Sequence, residues 1–370
     1  MSWEIARQSA LVRKVIAQHN GLQELLIHLG DEDALAYNLL PVAGEARPGD
    51  LVEVNTTAGD LRLGSGGHHW VLGRQGISSP VKLKEPGHII KLRYTPLQLK
   101  VLAVEEEASP YHRVFKEKDS LEGCPVVVAE LHSQLPAVAA AAALTWPGCR
   151  VVYCMTDGGA LPLALSKLAA QLQEKKLLAG TVTMGHAFGG DLESVNLYSG
   201  LLAARWILGA DIIVVAMGPG TVGTGTVWGS TALEQAPGLD GVNALGGRAI
   251  AVARLSFADQ RPRHQGLSHH TATSLGRLCY SPVLIGLPPL NEAEQKIVDA
   301  QLKTSGITEK HRVLVRPDPG IDDFLAEQGI VLESMGRSFA EDPVFFQAAA
   351  ACGVLAAEMA SGLKLGPFAG

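Results

Sequence analysis

The chain has 370 residues, of which 47% are hydrophobic, 18% charged and 5% aromatic, with 41 glycines and a formal net charge of −6. That length suits two domains that each bury a core, and the composition suits an Ala/Val/Leu/Gly-rich α/β protein rather than a sandwich of aromatic strands. The acidic balance, with no Lys/Arg run longer than two, argues against a nucleic-acid partner; the absence of a charged, apolar leader at Met1–Arg7 and of an apolar run of roughly 20 residues argues against a membrane.

The first part reads as β structure. Leu11–Ile16, Gln23–His28 and Ala34–Tyr37 look like strands, separated by turn signals at Asn20-Gly21, Gly30-Asp31 and Arg47-Pro48-Gly49-Asp50. Leu51–Asn55 alternates cleanly, and His88–Tyr94 and Leu99–Glu105 add two more strands. Residues 1–107 are therefore expected to form a small β-barrel or β-sandwich, with 108–123 as a hinge. Gly64-Ser65-Gly66-Gly67, ahead of His68-His69, reads as a hairpin connection flexible enough to reach a ligand.

From Gly123 the rhythm changes to apolar runs alternating with helical stretches, the signature of repeated βα units. The expected strands are Pro125–Leu131, Arg150–Met155, Gly180–Met184, Asp211–Met217, Ala249–Leu255, Val283–Gly286, Val313–Arg316 and a last one near Ile330–Leu332. Helices are expected at Gln134–Thr145, Leu161–Leu177, Leu192–Leu208, within Val227–Leu245, after His270, and at Asn291–Lys303, Ile321–Glu327 and Pro343–Met359. Asn291 with Glu294 resembles a capping box, and Pro343 suits a first helical position. The fold class is thus α/β: over 124–370 a mostly parallel sheet flanked by helices, preceded by the small all-β domain. Five cysteines without a C-x-x-C pair point to a reducing compartment, the cytoplasm.

In such a sheet ligands bind outside the carboxyl ends of the strands. The first strand is followed there by Glu130, His132 and Ser133, and the second by Asp157. The third leads to His186, Asp191 and Glu193, with Asp191 also suited to cap the following helix and Asp157 to form a turn. Gly218-Pro219-Gly220-Thr221-Val222-Gly223 matches G-x-G-x-x-G after a good strand. Pro219 removes a donor, however, the next helix starts badly, and Arg254 stands where an acid would end the next strand. An anion held by backbone N–H groups at Gly218, Gly220, Gly223 and Thr224 fits this loop, as does a plain strand-to-helix turn.

The loop after the fifth strand gathers Asp259, Arg261, Arg263, His264, His269 and His270. Arginines clamp carboxylate or phosphate, and imidazoles move protons or bind metal, though His264 to His270 lacks standard zinc spacing. The bland alternative is a loop knitted to the core or to a second subunit. Neither a nucleotide nor a divalent metal is fixed by the sequence, and no serine-hydrolase elbow, Walker A, zincin or kinase motif occurs.

Val54–Ala58, Leu61–Trp70, Lys91–Gln98, Met155–Pro162, Gly185–Asn196, Met217–Thr226 and Arg254–Thr273 resemble the bacterial family catalogued as domain of unknown function 3866. The resemblance implies a two-part protein and no particular activity.

These residues lead to an expected enzyme on a small anionic, phosphorylated or nucleotide-like metabolite. Gly218, Gly220, Gly223 and Thr224 would cradle the anion with help from Asp157, and Arg261 and Arg263 would neutralise it. His264, His270 or His186 would act as acid or base, oriented by Asp259 or Asp191. The alternatives are a non-catalytic metabolite-binding module and a scaffolding subunit. Apolar stretches Leu201–Leu208 and Ala348–Met359 further suggest a homo-oligomer. His186, Gly218–Thr226 and Asp259–His270 are expected to share one cleft.

Overall fold

The computed structural model describes residues 5–61, 67–76, 83 and 86–362, in two units that divide between Val101 and Leu102. In the first, β1 (Arg7–His19), β2 (Leu22–Leu29), β3 (Glu32–Leu39), β4 (Leu51–Asn55) and β5 (His68–Arg74) close a barrel in the order β1-β2-β3-β5-β4. Alternation puts Ala10, Val12, Leu25, Ile27, Ala36, Val52, Val54 and Val71 inside it. The register of β1 against β2 shifts at Val12/Lys14 and again at Val15/Ala17, bends of the kind that let one strand serve two neighbours around a closing sheet.

β4 and β5, consecutive in the chain, pair antiparallel as the expected hairpin, and His68-His69 opens β5, which also pairs in parallel with β3 and so closes the barrel. The His68 ring stacks on Tyr37 at 4.0 Å and its Nε2 lies 2.9 Å from Glu24 Oε1. Residues 64–66 of the glycine run lie outside the described residues. The two later strands shrink to a separate hairpin, β6 (Ile89–Lys91) and β7 (Leu99–Val101), because Leu92 and Tyr94 take positive φ of 52° and 61°.

The second unit holds β8 (Pro125–Val128), β9 (Val151–Thr156), β10 (Gly180–Thr183), β11 (Leu192–Glu193), β12 (Ile212–Met217) and β13 (Arg248–Val252). A short hairpin follows, β14 (Leu255–Ser256) with β15 (Gly266–Leu267), then β16 (Leu284–Leu287) and β17 (Arg312–Val315). Apart from that hairpin they form one eight-stranded parallel sheet, in the order β11-β10-β9-β12-β8-β13-β16-β17. Val127, Tyr153, Met155, Val214 and Ala216 face a layer built on Leu135–Thr145 and Pro343–Ser361. Val126, Val128, Cys154, Ile213 and Val215 face the other layer, with Leu197–Trp206, Gln235–Ala244 and Glu292–Thr304. A sheet covered on both sides needs apolar residues at every position, which is why these strands do not alternate.

Several elements differ from the expectations. Leu192–Glu193 pairs with β10 as an edge strand, and the helix starts only at Leu197, with Asn196 Oδ1 accepting from Ser199 N. The strand near Ile330–Leu332 is replaced by a hairpin of β18 (Glu333–Ser334) and β19 (Arg337–Ser338), turned by Met335 and Gly336 at positive φ. Asn291 and Glu294 do form a capping box. The expected hinge carries the helix His112–Glu117 and the fully buried Leu121, whose N–H reaches Leu245 O.

The stretches that suggested an oligomer are consumed inside the unit: Leu201–Ala204 and Ala348–Ala357 are buried, so that ground for a dimer falls away. Among the described residues one helix, Pro343–Ser361, is long and apolar enough to cross a membrane, and 67% of its most apolar window is buried within the fold.

Candidate functional site

Because β8, β12 and β13 are neighbours, the segments leaving their carboxyl ends meet. Leu131, His132 and Ser133 after β8, Pro219, Gly220, Thr221, Gly223 and Gly225 after β12, and Arg254, Arg261, Arg263, His264 and His270 after β13 line one cleft of about 470 Å³. Leu168, Ser334 and Met335 complete it, and no aspartate or glutamate is among its described lining residues.

The loop after β13 is organised around Asp259. Its carboxylate, almost fully buried, accepts from Arg261 Nε at 2.9 Å, Arg261 Nη2 at 2.6 Å, Arg261 N at 3.0 Å, Arg254 Nη2 at 3.4 Å and Arg337 Nη2 at 3.5 Å. The hydrogen bonds from Arg261 hold it well below the usual carboxylate range. Asp259 is therefore a structural anchor for three arginines and not the orienting partner of an imidazole. Arg263 stands exposed on the rim with no ion pair among the described residues.

His264 and His270 are both buried in the wall, and their rings pack at 5.2 Å. Burial, reinforced by the surrounding arginines, pushes His264 down to about 3 and His270 down to about 4, so both are neutral at pH 7. His264 Nδ1 is bonded to Ser268 Oγ at 2.9 Å. His269 packs on both rings, and among the described residues no group of three His, Cys, Asp or Glu side chains is arranged to hold a metal ion. His132 is also neutral, pushed down to about 4 by burial, between Ser166 Oγ at 2.8 Å and Tyr153 OH at 3.2 Å.

Two residues that sequence reasoning noted without placing at the site are central to it. Arg254, at the end of β13, has a side chain only 5% exposed and lines the cleft, and its Nε has no hydrogen-bond partner. Glu130 is fully buried just beyond β8; Thr271 Oγ1 donates to its Oε2 at 2.5 Å, and its Oε1 is unpartnered, 3.8 Å from His270 Nδ1. Burial pushes the Glu130 carboxyl up to about 7, against the opposing pull of Arg254 and of the Thr271 hydrogen bond. The available signal was positional: each is a charged residue closing an apolar strand at the ligand-binding edge.

The glycine loop divides. Gly220, at φ 101°, and Gly223 line the cleft, whereas Gly218 does not. A Cβ on Gly218 would lie 2.4 Å from Ala160 O, so this glycine permits contact between the loops after β9 and β12, not with a phosphate. Thr224 Oγ1 turns to Thr226 Oγ1 at 2.9 Å and stays out of the cleft. The loop closes on itself through the bridge Gly223 to Ser230 rather than opening a helix, so the dinucleotide geometry is not made.

His186, Asp191 and Asp157 are not at this cleft. His186 leaves β10, two strands away from β12, and its N–H donates to Asp157 Oδ2 at 2.9 Å. Asp191 accepts from Thr181 N and Oγ1 and from Gln173, tying down the edge rather than capping a helix. Asp157 lines a second, separate cleft of about 340 Å³, with Glu234, Gln235, Asn196, Tyr198 and Met184. There Thr156 Oγ1 donates to Glu234 Oε1, and burial, with Asp157 adding to it and that hydrogen bond opposing it, pushes Glu234 up to about 7.

A protein-family model described as "Protein of unknown function (DUF3866)" matches residues 33–353 of the chain. No curated protein and no solved structure matches it.

Proposed function

The chain belongs to the family of proteins of unknown function DUF3866, a membership that brings no activity with it, and from its own residues we propose an enzyme acting on a small anionic metabolite. The ligand, phosphorylated or nucleotide-like, binds in the cleft between the segments after β8, β12 and β13. One observation carries this reading: among the described residues, the cleft is lined by three arginines and no carboxylate. Its volume, about 470 Å³, falls in the range of small-molecule sites. Arg254 and Arg263 supply most of the attraction, since the charge of Arg261 is already paired with Asp259 through its Nε and Nη2. Leu131, Leu168, Pro219 and Met335 give an apolar wall for the rest of the ligand. Free cysteines, four of the five buried, accord with a cytoplasmic setting.

A thermal-shift screen with nucleotides, sugar phosphates, carboxylates and divalent metals tests the reading, because a ligand of the folded state raises its melting temperature. Phosphorylated or carboxylated compounds are expected to stabilise the protein, and their uncharged analogues to do so far less. Equal shifts from charged and uncharged compounds, or none from either, would overturn the proposal.

A second reading, a metabolite-binding module without catalysis, is favoured by the absence, among the described residues, of a carboxylate within hydrogen-bond reach of His264 or His270. It predicts that the ligand found by the screen is recovered unchanged after prolonged incubation with the protein.

A further inference from the structure

One wall of the arginine-lined cleft carries three buried polar atoms without hydrogen-bond partners: Arg254 Nε, His270 Nε2 and, directly behind His270, Glu130 Oε1. A buried unsatisfied polar atom costs about 1–3 kcal/mol, so three together at one cavity wall mark a place arranged for something that completes it. Glu130 is held from two sides: Gln134 Oε1 accepts from its backbone N at 3.0 Å, and Thr271 Oγ1 donates to its Oε2. This leaves Oε1 turned to His270 Nδ1. The far edge of the same ring meets the glycine loop, its Cε1 3.4 Å from where a Cβ of Gly223 would stand.

We propose that His270 and Glu130 form the acid–base pair of this cleft, with His270 Nε2 presented to the ligand and the Glu130 carboxyl seated behind Nδ1. The proposal rests on the anion-cleft reading and names the group that would do its chemistry. His270 is the residue that touches the ligand; Glu130 is a positioning residue that selects the tautomer carrying its proton on Nδ1. A ligand or water O–H or N–H bond breaks, its electron pair stays on the ligand atom, and the proton forms Nε2–H. The resulting imidazolium is met by the Glu130 carboxylate, to which the Nδ1 proton is also free to pass. Asp259, to which the sequence had pointed, cannot serve, since its oxygens are taken by Arg261, Arg254 and Arg337.

The surroundings of His270 add a coupling. The groups facing it are Glu130 after β8, Ser230 Oγ at 3.4 Å, Arg254 after β13, Arg261, Arg263 and His264 on the following turn, and His269 on its own helix. Burial and these cations keep the empty site's imidazole neutral. An anion bound to Arg254 and Arg263 cancels their charge, so the ligand's own charge makes His270 a stronger base. The neutral imidazole of the empty protein is thus the resting form of the pair.

The test is NMR of the full chain labelled with ¹⁵N-histidine, titrated with pH with and without inorganic phosphate. The His270 signals are those lost in His270→Asn or, should that variant not fold, in His270→Gln. The wild-type ring is expected to show the Nδ1–H tautomer, and phosphate is expected to raise its titration midpoint by at least about one pH unit, tenfold in proton affinity. Glu130→Gln should weaken the Nδ1–H preference and Glu130→Asp should restore part of it, while the rise with phosphate persists in both. An Nε2–H tautomer in the wild-type protein, or phosphate binding without movement of the His270 midpoint, would overturn the pair while leaving the anion site standing. In a uniformly ¹⁵N-labelled chain, phosphate that leaves the amide signals within residues 218–226 and 254–270 unmoved, alongside a negative screen with larger anions, would overturn the anion site and the coupling together.

Discussion

The two clefts share an edge of the sheet and differ in charge. Each has a glutamate displaced to about 7, the fully buried Glu130 by one and the half-buried Glu234 by the other, with burial as the leading cause in both. What surrounds them separates the two. Glu130 lies beside Arg254 and close to His270, behind a wall that carries no carboxylate. Glu234 shares its cleft with Asp157, whose charge adds to its displacement, and no arginine or lysine lines that cleft among the described residues. Burial is thus the main force that moves a carboxyl to neutral pH in either place, while the neighbours decide which ligand charge is admitted. On the proposed reading, an anion is drawn to the first cleft and repelled from the second.

The largest expected effect comes from removing the cation that distinguishes the first cleft. Arg254→Met leaves Glu130 and Asp259 buried with less compensation, and breaking a buried charge network in this way costs about 3–5 kcal/mol. Urea denaturation reads it; a loss under about 1 kcal/mol would mean that the network of charges is not what organises this wall.

Glu130→Gln is next and is read in the pH dependence of stability. A carboxyl whose folded value lies above its unfolded one stabilises the fold fully below about pH 4.5 and loses that contribution as pH rises through about 7. For this fully buried group the displacement corresponds to roughly 3 kcal/mol. Denaturation midpoints of the wild type should thus fall over that window by more than those of Glu130→Gln. Parallel profiles would remove Glu130 from the account.

Arg263→Gln sharpens the comparison from the binding side. The residue is exposed and without an ion pair among the described residues, so stability should change by no more than about 0.5 kcal/mol. Anion affinity, measured by calorimetry with the best ligand of the screen, should weaken by about tenfold. Unchanged affinity would place the anion elsewhere.

Asp157→Asn is the smallest and the most direct test that the clefts are separate. Removing a like charge lowers the Glu234 value, so the loss of stability between about pH 4.5 and 7 becomes shallower, while anion affinity stays within about twofold. An affinity change as large as that of Arg263→Gln would break the comparison, since the two clefts would then act as one.

Much of the local structure was legible in the chain. Uninterrupted apolar runs such as Asp211–Met217 announced strands covered on both faces, and Asn291 with Glu294 announced a helix start. Errors fell where tertiary contacts outweighed local pattern. Leu192–Glu193 looks helical but pairs at the open edge of β10. Asp259 carries the signature of an acid–base partner, yet three arginines from different segments converge on it, which no local pattern records.

The sequence by itself determined the parallel architecture, the edge at which ligands would bind and the polar inventory of each loop, because these follow from periodicity and turn chemistry within a few residues. Only the tertiary structure decided which loops share a ligand. Strand order is set by crossovers packing over the sheet, a non-local choice. Here it makes β8, β12 and β13 neighbours and leaves β10 beyond β9. That order joins Gly220, Arg254, Arg263 and His270 in one cleft with Glu130 behind them, and it sends His186, Asp191 and Asp157 elsewhere.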